Sequence, residues 1–446
     1  MYHHTAAAGE IRMTQGNILN ILVRYTVPVF LSQILQQFYN VIDGVIIGHY
    51  VGAEALAATG TAGLLLSVIV NFFIGISTGI SVMTSRLFGG EYYEKLKETV
   101  VTAVFLCIIA GIILTGAGVC SAPLLLKALH TPPEVQDLAK KYLVICFWGM
   151  VPQLLYNIGT AILRSLGNTK TPLWYLGSSV LLNLILDLIL VAVFHMGIEG
   201  AACATAFSQW VLALCVLWKL SRLDSRYCFR WSIPGGSVKV GGEMFRLGIP
   251  SGMQAVFMSI SSLILQSSIN SFGSAAMAGM TVFSKIEGFL YYPAFSFGMA
   301  VTGFVGQNLG AGKHDRIRKG MKISMGVVAG GTLLLSMLGL CFAEPLLKCF
   351  TADPQVLCNG REAVICIFPF YWLYGVNQVY IGGIRGLGKT GYPMTASLIS
   401  YCIFRVAWCG LLLPVCFDMR IIYASYDVSW ILMLMILAVG YHRYRF

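Results

Sequence analysis

Apolar runs long enough to cross a bilayer recur along this chain from about residue 19 to the C-terminus, separated by short polar connections. That pattern leaves few folds open. About 18 or more apolar residues at 1.5 Å per residue cover roughly 30 Å of hydrocarbon. With no water there to satisfy the backbone, each run must close its own hydrogen bonds as a helix. Period-2 alternation, the mark of a membrane strand, is absent. The composition agrees: 57% hydrophobic and 11% charged residues, with a mean hydropathy of +0.76, describe a chain whose solvent is lipid. The expected fold is an all-α polytopic membrane protein of twelve transmembrane helices.

The net charge of +11 raises the question of nucleic acid, but the basic residues are scattered through short loops and form no patch. With twelve spans and a cytoplasmic N-terminus, 22 of the 30 Lys and Arg fall inside, 6 outside and 2 within spans. This inside-positive bias places both termini in the cytoplasm and makes membrane lipid, not nucleic acid, the expected partner. The 13 cysteines sit mostly in apolar spans with no CxxC pair, and read as small core residues. No cleavable leader is expected, because the first apolar segment is too long. Residues 1–12 read as an extension or an expression-vector remnant, with Met13 opening a more natural N-terminus.

The chain repeats itself at an offset of 221 or 222 residues. Residues 24–28 (RYTVP) recur as 246–250 (RLGIP), 51–56 (VGAEAL) as 272–277 (FGSAAM), 163–167 (LRSLG) as 384–388 (IRGLG), and Pro172 as Pro393. Two halves with an even number of spans share one orientation, so the expected architecture is two parallel six-helix repeats around a central cleft. The boundaries read as a tail at 1–16, a first lobe at 17–220, a linker at 221–242 and a second lobe at 243–446. Pro234, Gly235 and Gly236 lie amid the six basic residues of 219–246, a connection expected to be solvated.

Residues 181–191 (LLNLILDLILV) place Asn183 and Asp187 four apart, on one helix face. A carboxylate at mid-membrane costs roughly 2.5 to 3.5 kcal/mol, so it persists where it meets a cavity, a partner or an ion. Asp187 therefore reads as a working group, with a structural hydrogen bond as the competing reading. The first span carries Gln33, Gln36, Asn40 and Asp43 in one polar stripe, and Pro28, which removes a backbone bond, marks a hinge. Tyr39, Tyr156 and Asn157 add polar or aromatic groups. The repeat exposes an asymmetry: Asp43, Asn183 and Asp187 correspond to Leu265, Phe404 and Trp408. The second half instead carries Gln254, Gln266, Lys285, Glu287, Tyr374 and Arg405, with a Glu287–Arg405 ion pair or contact to substrate expected.

Residues 35–48 (LQQFYNVIDGVIIG), 183–188 (NLILDL) and 306–320 (GQNLGAGKHDRIRKG), on two six-helix halves, resemble the multidrug and toxic compound extrusion (MATE) family. The first-half acids are similar to the branch named after DNA-damage-inducible protein F. That resemblance implies a cation site at Asp43, Asn183, Asp187 and Thr205, carrying H+ or Na+ as the coupling ion with no other metal or cofactor. It also implies a bacterial-type inner membrane location. The second-half acids of the other bacterial branch are missing from spans seven and ten.

The expected activity is alternating-access antiport: inward H+ or Na+ against outward export of a small amphipathic drug or metabolite, cationic by family resemblance. The alternatives are a flippase of a lipid-linked saccharide or an exporter of an anionic substrate, to which Lys285 and Arg405 are better suited. An enzyme lacks support, since no metal-spaced histidines and no nucleophile with a base occur. A monomer is expected.

Overall fold

The structure is a computed structural model, describing residues 11–128, 133–231 and 237–444. Pro234, Gly235 and Gly236 of the linker lie outside the described residues. Every regular element among the described residues is helical. Among the described residues, eleven helices are long and apolar enough to span a bilayer, and twelve if a bent pair counts as one span.

The first half comprises α1 (Ile18–Tyr50), α2 (Ala53–Gly89), α3 (Tyr93–Ala128), α4 (Pro133–Trp148), α5 (Met150–Ser165), α6 (Lys170–Asp187) and α7 (Gly197–Ser221). The second comprises α8 (Val238–Asn270), α9 (Ser274–Gly310), α10 (His314–Cys341), the short α11 (Ala343–Lys348), α12 (Pro354–Ile367), α13 (Tyr371–Gly386), α14 (Gly391–Ser397), α15 (Phe404–Leu412) and α16 (Met419–Tyr444). Large apolar side chains such as Ile113, Leu124, Val193 and Leu411 are more than half exposed, as lipid-facing residues are. Trp174 opens α6 and Trp218 closes α7, both largely exposed, at positions suited to the membrane interface.

Packing divides the chain into two compact units at the prolines. Among the described residues, one holds 11–12 and 28–248, the other 13–27 and 249–444. The first turns of α1 therefore belong to the second unit and the rest of α1, from Pro28, to the first; α8 divides likewise one residue before Pro250. These divisions fall inside helices, whereas the sequence reading placed its boundaries in the connecting segments. Proline lacks the N–H that would tie its turn to the preceding one, which makes it the natural joint.

Two departures from the expected elements have local causes. The fourth span, whose apolar run covers residues 138–163, is not one straight helix but bends by 47° between α4 and α5. Gly149 separates the two, and Pro152 lacks an N–H in the first turn of α5. The Phe147 carbonyl at the break accepts a hydrogen bond from Thr115 Oγ1 of α3 at 2.8 Å. The linker, expected to be solvated, instead buries Tyr227, Cys228 and Phe229. Tyr227 stacks on Tyr93 at 5.7 Å, and the Arg226 guanidinium sits 4.4 Å over the Tyr93 ring while pairing with Asp224 at 2.6 Å. Two aromatic side chains have more to gain from the α2–α3 surface than from water.

In the second unit, glycines let α9 and α13 pack backbone to backbone. A Cβ on Gly298 would lie 2.9 Å from the Gln378 carbonyl oxygen, and one on Gly382 would collide with the Gly298 carbonyl. Small residues do this work in lipid, where close packing replaces the hydrophobic drive. Gly382→Ala is expected to destabilise the protein by roughly 1–3 kcal/mol through overpacking against rigid backbone. Gly326→Ala, with nothing within 4 Å, is expected to be silent; equal melting of both variants in detergent would contradict this account.

Candidate cation and substrate sites

The acids of the first half converge. Asp43 on α1 and Asp187 at the end of α6 lie close enough for their charges to act on one another, and both act on Tyr39. Tyr39 donates its hydroxyl to Thr205 Oγ1 of α7 at 3.0 Å, which fixes α1 against α7 at the level of the acids. Asp187 is fully buried and Asn183 nearly so. Both Asp187 oxygens, Asp43 Oδ1 and Asn183 Nδ2 are buried without a hydrogen-bond partner. Tyr142 and Cys146 of α4 are also within electrostatic reach of Asp43, and no sequence signal singled them out.

Local backbone explains the placement. Immediately after Asp187 the helix widens into a π-helical stretch, Leu188–Val193. There Phe194 N–H reaches the Ile189 carbonyl, five residues back, at 2.9 Å. Such widenings recur at functional sites because they re-aim side chains without leaving backbone groups open. Buried carboxylate oxygens with hydroxyl and amide oxygens nearby make a hard-donor set suited to a proton or a small alkali cation. No cluster of three or more His, Cys, Asp or Glu able to hold a metal occurs among the described residues.

The other first-half candidates are placed less tightly. Gln33 and Gln36 are half-buried and Asn40 exposed, and none forms a hydrogen bond among the described residues. Tyr156 is buried in the core with Leu154 and Ile158 of α5, while Asn157 Nδ2 is buried and unpartnered.

The second unit holds a separate centre. Arg405 is buried; its Nε donates to Ser429 Oγ at 2.9 Å, and its guanidinium lies 4.7 Å from the Tyr401 ring and 4.6 Å from the Tyr426 ring. The expected Glu287–Arg405 ion pair does not form, because each group is otherwise engaged: Glu287 Oε1 accepts the Tyr371 hydroxyl at 3.0 Å. Tyr374 is buried, its ring stacked 5.4 Å from Tyr291. Gln254, buried to 1% exposure, is spent on structure: Nε2 donates to Ser397 Oγ at 2.8 Å and Oε1 accepts from Arg385 Nη2 at 2.7 Å. Gln266 bonds Asn270 at 2.9 Å, and Lys285 is exposed. Asp427 on α16 went unread in the sequence, though an acid in an apolar run (YASYDVSWIL) is the signal that found Asp187. It is 8% exposed, and its Oδ1 has no partner.

The 306–320 motif does something the sequence did not disclose. Gln307 Oε1 accepts Met13 N–H at 2.9 Å, while Asn308 Nδ2 and Arg316 Nε both donate to the Met13 carbonyl at 3.2 Å. Lys313 Nζ donates to the Thr14 carbonyl at 2.9 Å and Arg316 Nη2 to that of Gln15 at 3.0 Å. The motif clasps the main chain that leads into α1.

Paired helix repeats in lipid, with unpartnered carboxylates at membrane depth, define a membrane transporter. The MatE family model matches residues 28–189 and 250–410, each block starting at one of the two jointed prolines, and the chain belongs to that family. Its members are transporters, not enzymes. The chain is 29% identical over 399 residues to the "Probable multidrug resistance protein YpnP" of Bacillus subtilis, covering 89% of each. It is 25% identical over 358 residues to an FAD transporter of Shewanella oneidensis, covering 79% of this chain and 78% of that one. Its fold matches an outward-facing multidrug resistance MATE transporter of the MOP superfamily with a TM-score of 0.91 at 20% identity, over 99% of both chains.

Asp187→Asn removes a buried charge that no described group neutralises. In sodium-free buffer at neutral pH the variant is expected to unfold at higher temperature than the parent, by the equivalent of about 1–3 kcal/mol. It is also expected to lose any stabilisation by sodium or by acid. A lower melting temperature with the ion response intact would show that the carboxylate serves packing alone.

Proposed function

We propose that this membrane transporter is a secondary active antiporter that exports small amphipathic organic molecules in exchange for inward H+ or Na+, by alternating access. The observation that carries the reading is Asp187: fully buried, with neither oxygen partnered, and within electrostatic reach of Asp43. Two carboxylates held together in low dielectric repel one another until a proton or a small cation joins them. A charge crossing the whole membrane gains roughly 2.3 kcal/mol per 100 mV, about fifty-fold in an equilibrium, which suffices to drive export.

The roles follow from placement. Asp43 and Asp187 hold the ion, and Asn183, Thr205 and Tyr39 supply neutral donors beside it. Neutralising Asp43 removes the repulsion that the α1 carboxylate feels from α6, and Pro28 is the point at which α1 yields. The printed names of the relatives support drug efflux. The Lys and Arg bias supports cytoplasmic termini in a bacterial-type inner membrane. A second reading of the cargo, an anionic molecule, has support in the buried Arg405 and Arg385 and in the FAD transporter among the relatives. Ethidium serves as the first cargo because the family resemblance implies a cation.

The test is efflux from vesicles with the proton and sodium gradients imposed one at a time. Wild-type efflux is expected to follow one of them, and Asp43→Asn and Asp187→Asn are each expected to fall to the no-gradient level. Gradient-dependent efflux that survives both substitutions in folded protein would end the antiport model.

A further inference from the structure

Within the second unit, we infer that Arg405 receives the anionic group, carboxylate or phosphate, of a flat aromatic cargo molecule. The inference deepens the exporter reading by naming the chemistry of what is exported.

The guanidinium is held as a receptor would be. Tyr401 and Tyr426 lie at 4.7 and 4.6 Å from it, and Ser429 engages Nε at 2.9 Å, so its plane is fixed by three contacts. Neither Nη atom makes a hydrogen bond or an ion pair with any described residue. An arginine whose fork is oriented yet unspent is pre-organised for a bidentate carboxylate or phosphate. The two acids in reach leave the fork open. Glu287 and Asp427 both act electrostatically on Arg405, but neither comes within the 4 Å of an ion pair, and Glu287 is committed to Tyr371.

The unspent groups around Arg405 are mostly donors. The Tyr401 hydroxyl is buried to 3% exposure with no partner, and Arg385 Nε is likewise buried and unpartnered. Tyr374 lies within electrostatic reach of both Tyr401 and Arg385, which ties these groups into one region. The first unit shows the opposite bias at its acids, where three carboxylate oxygens lack partners. Buried donors left open favour a ligand rich in acceptors. Tyr371, Tyr374 and Trp430, with ring centroids 5.1 to 5.8 Å apart, form a buried aromatic cluster, chemistry that suits a planar aromatic body. The π-helical stretch Leu398–Ile403 carries Tyr401 and ends two residues before Arg405, where a widened turn sets both side chains on the same centre. Glu287 and Asp427 act as resident counter-charges that keep Arg405 soluble in the protein and compete with the incoming anion.

The test is calorimetric titration of the purified full-length protein in detergent with 1-naphthyl phosphate and with 1-naphthylmethylamine, a pair sharing one ring and differing in the sign of charge. The phosphate is expected to bind more tightly than the amine. Arg405→Gln is expected to weaken it by about tenfold or more, Arg405→Lys by less. Arg420→Gln, which removes an exposed arginine of the same unit paired with Glu362, is expected to change nothing. Tighter binding of the amine, or phosphate binding indifferent to Arg405→Gln, overturns the inference. If Arg405→Gln does not fold, Glu287→Gln decides: removing a competing negative charge is expected to tighten phosphate binding, and unchanged or weaker binding overturns the inference. Failure of the phosphate to bind rejects this inference alone, whereas vesicles from which neither ethidium nor 1-naphthyl phosphate is driven by a proton or sodium gradient reject the exporter reading beneath it.

Discussion

A peptide backbone in hydrocarbon has no solvent to fall back on, so each N–H and C=O must find its partner within the protein. Everything unusual in this structure is a departure from the straight helix that meets this demand in another way. Thr115 takes up the Phe147 carbonyl where α4 breaks from α5. Two π-helical stretches keep their backbone bonds while shifting register, one directly after Asp187 and one shortly before Arg405. At Pro28 the Ser32 hydroxyl donates to the proline's own carbonyl, 2.8 Å away. Polar side chains are spent on backbone wherever the helix must bend.

The same rule, applied to side chains, separates the two units by the polarity of what they leave open. In the first, the open atoms at the site are mainly carboxylate oxygens on α1 and α6. In the second they include a tyrosine hydroxyl and an arginine nitrogen around α13 to α15. Two repeats that share their turns and prolines differ at these buried polar positions.

Much of this was legible in the sequence because membrane helices write their constraints in one dimension. The repeat offset, the prolines and the four-residue spacing of Asn183 and Asp187 all survive into the fold. What was hidden depends on contacts between distant segments. Nothing local says that Glu287 takes Tyr371 and not Arg405, or that Gln254 is consumed by Arg385 and Ser397. Other features were written but passed over: Gly149 and Pro152 three apart within one span, Asp427 alone in an apolar run, and Tyr227 and Phe229 in a segment otherwise basic. The buried fraction of a linker follows from its aromatics and not from its charges.

The clasp around residues 13–15 engages the chain through main-chain atoms: four of its five bonds end on carbonyls and the fifth starts at an amide. A grip of that kind is blind to side-chain identity. A change of side chain at residues 14 and 15 leaves these bonds in place, whereas a change at Gln307, Asn308, Lys313 or Arg316 removes them, so the two halves of the contact, almost 300 positions apart, tolerate substitution unequally. The entry to the first helix is thus held by its backbone at residues 14 and 15, and by its side chain only at the buried Met13.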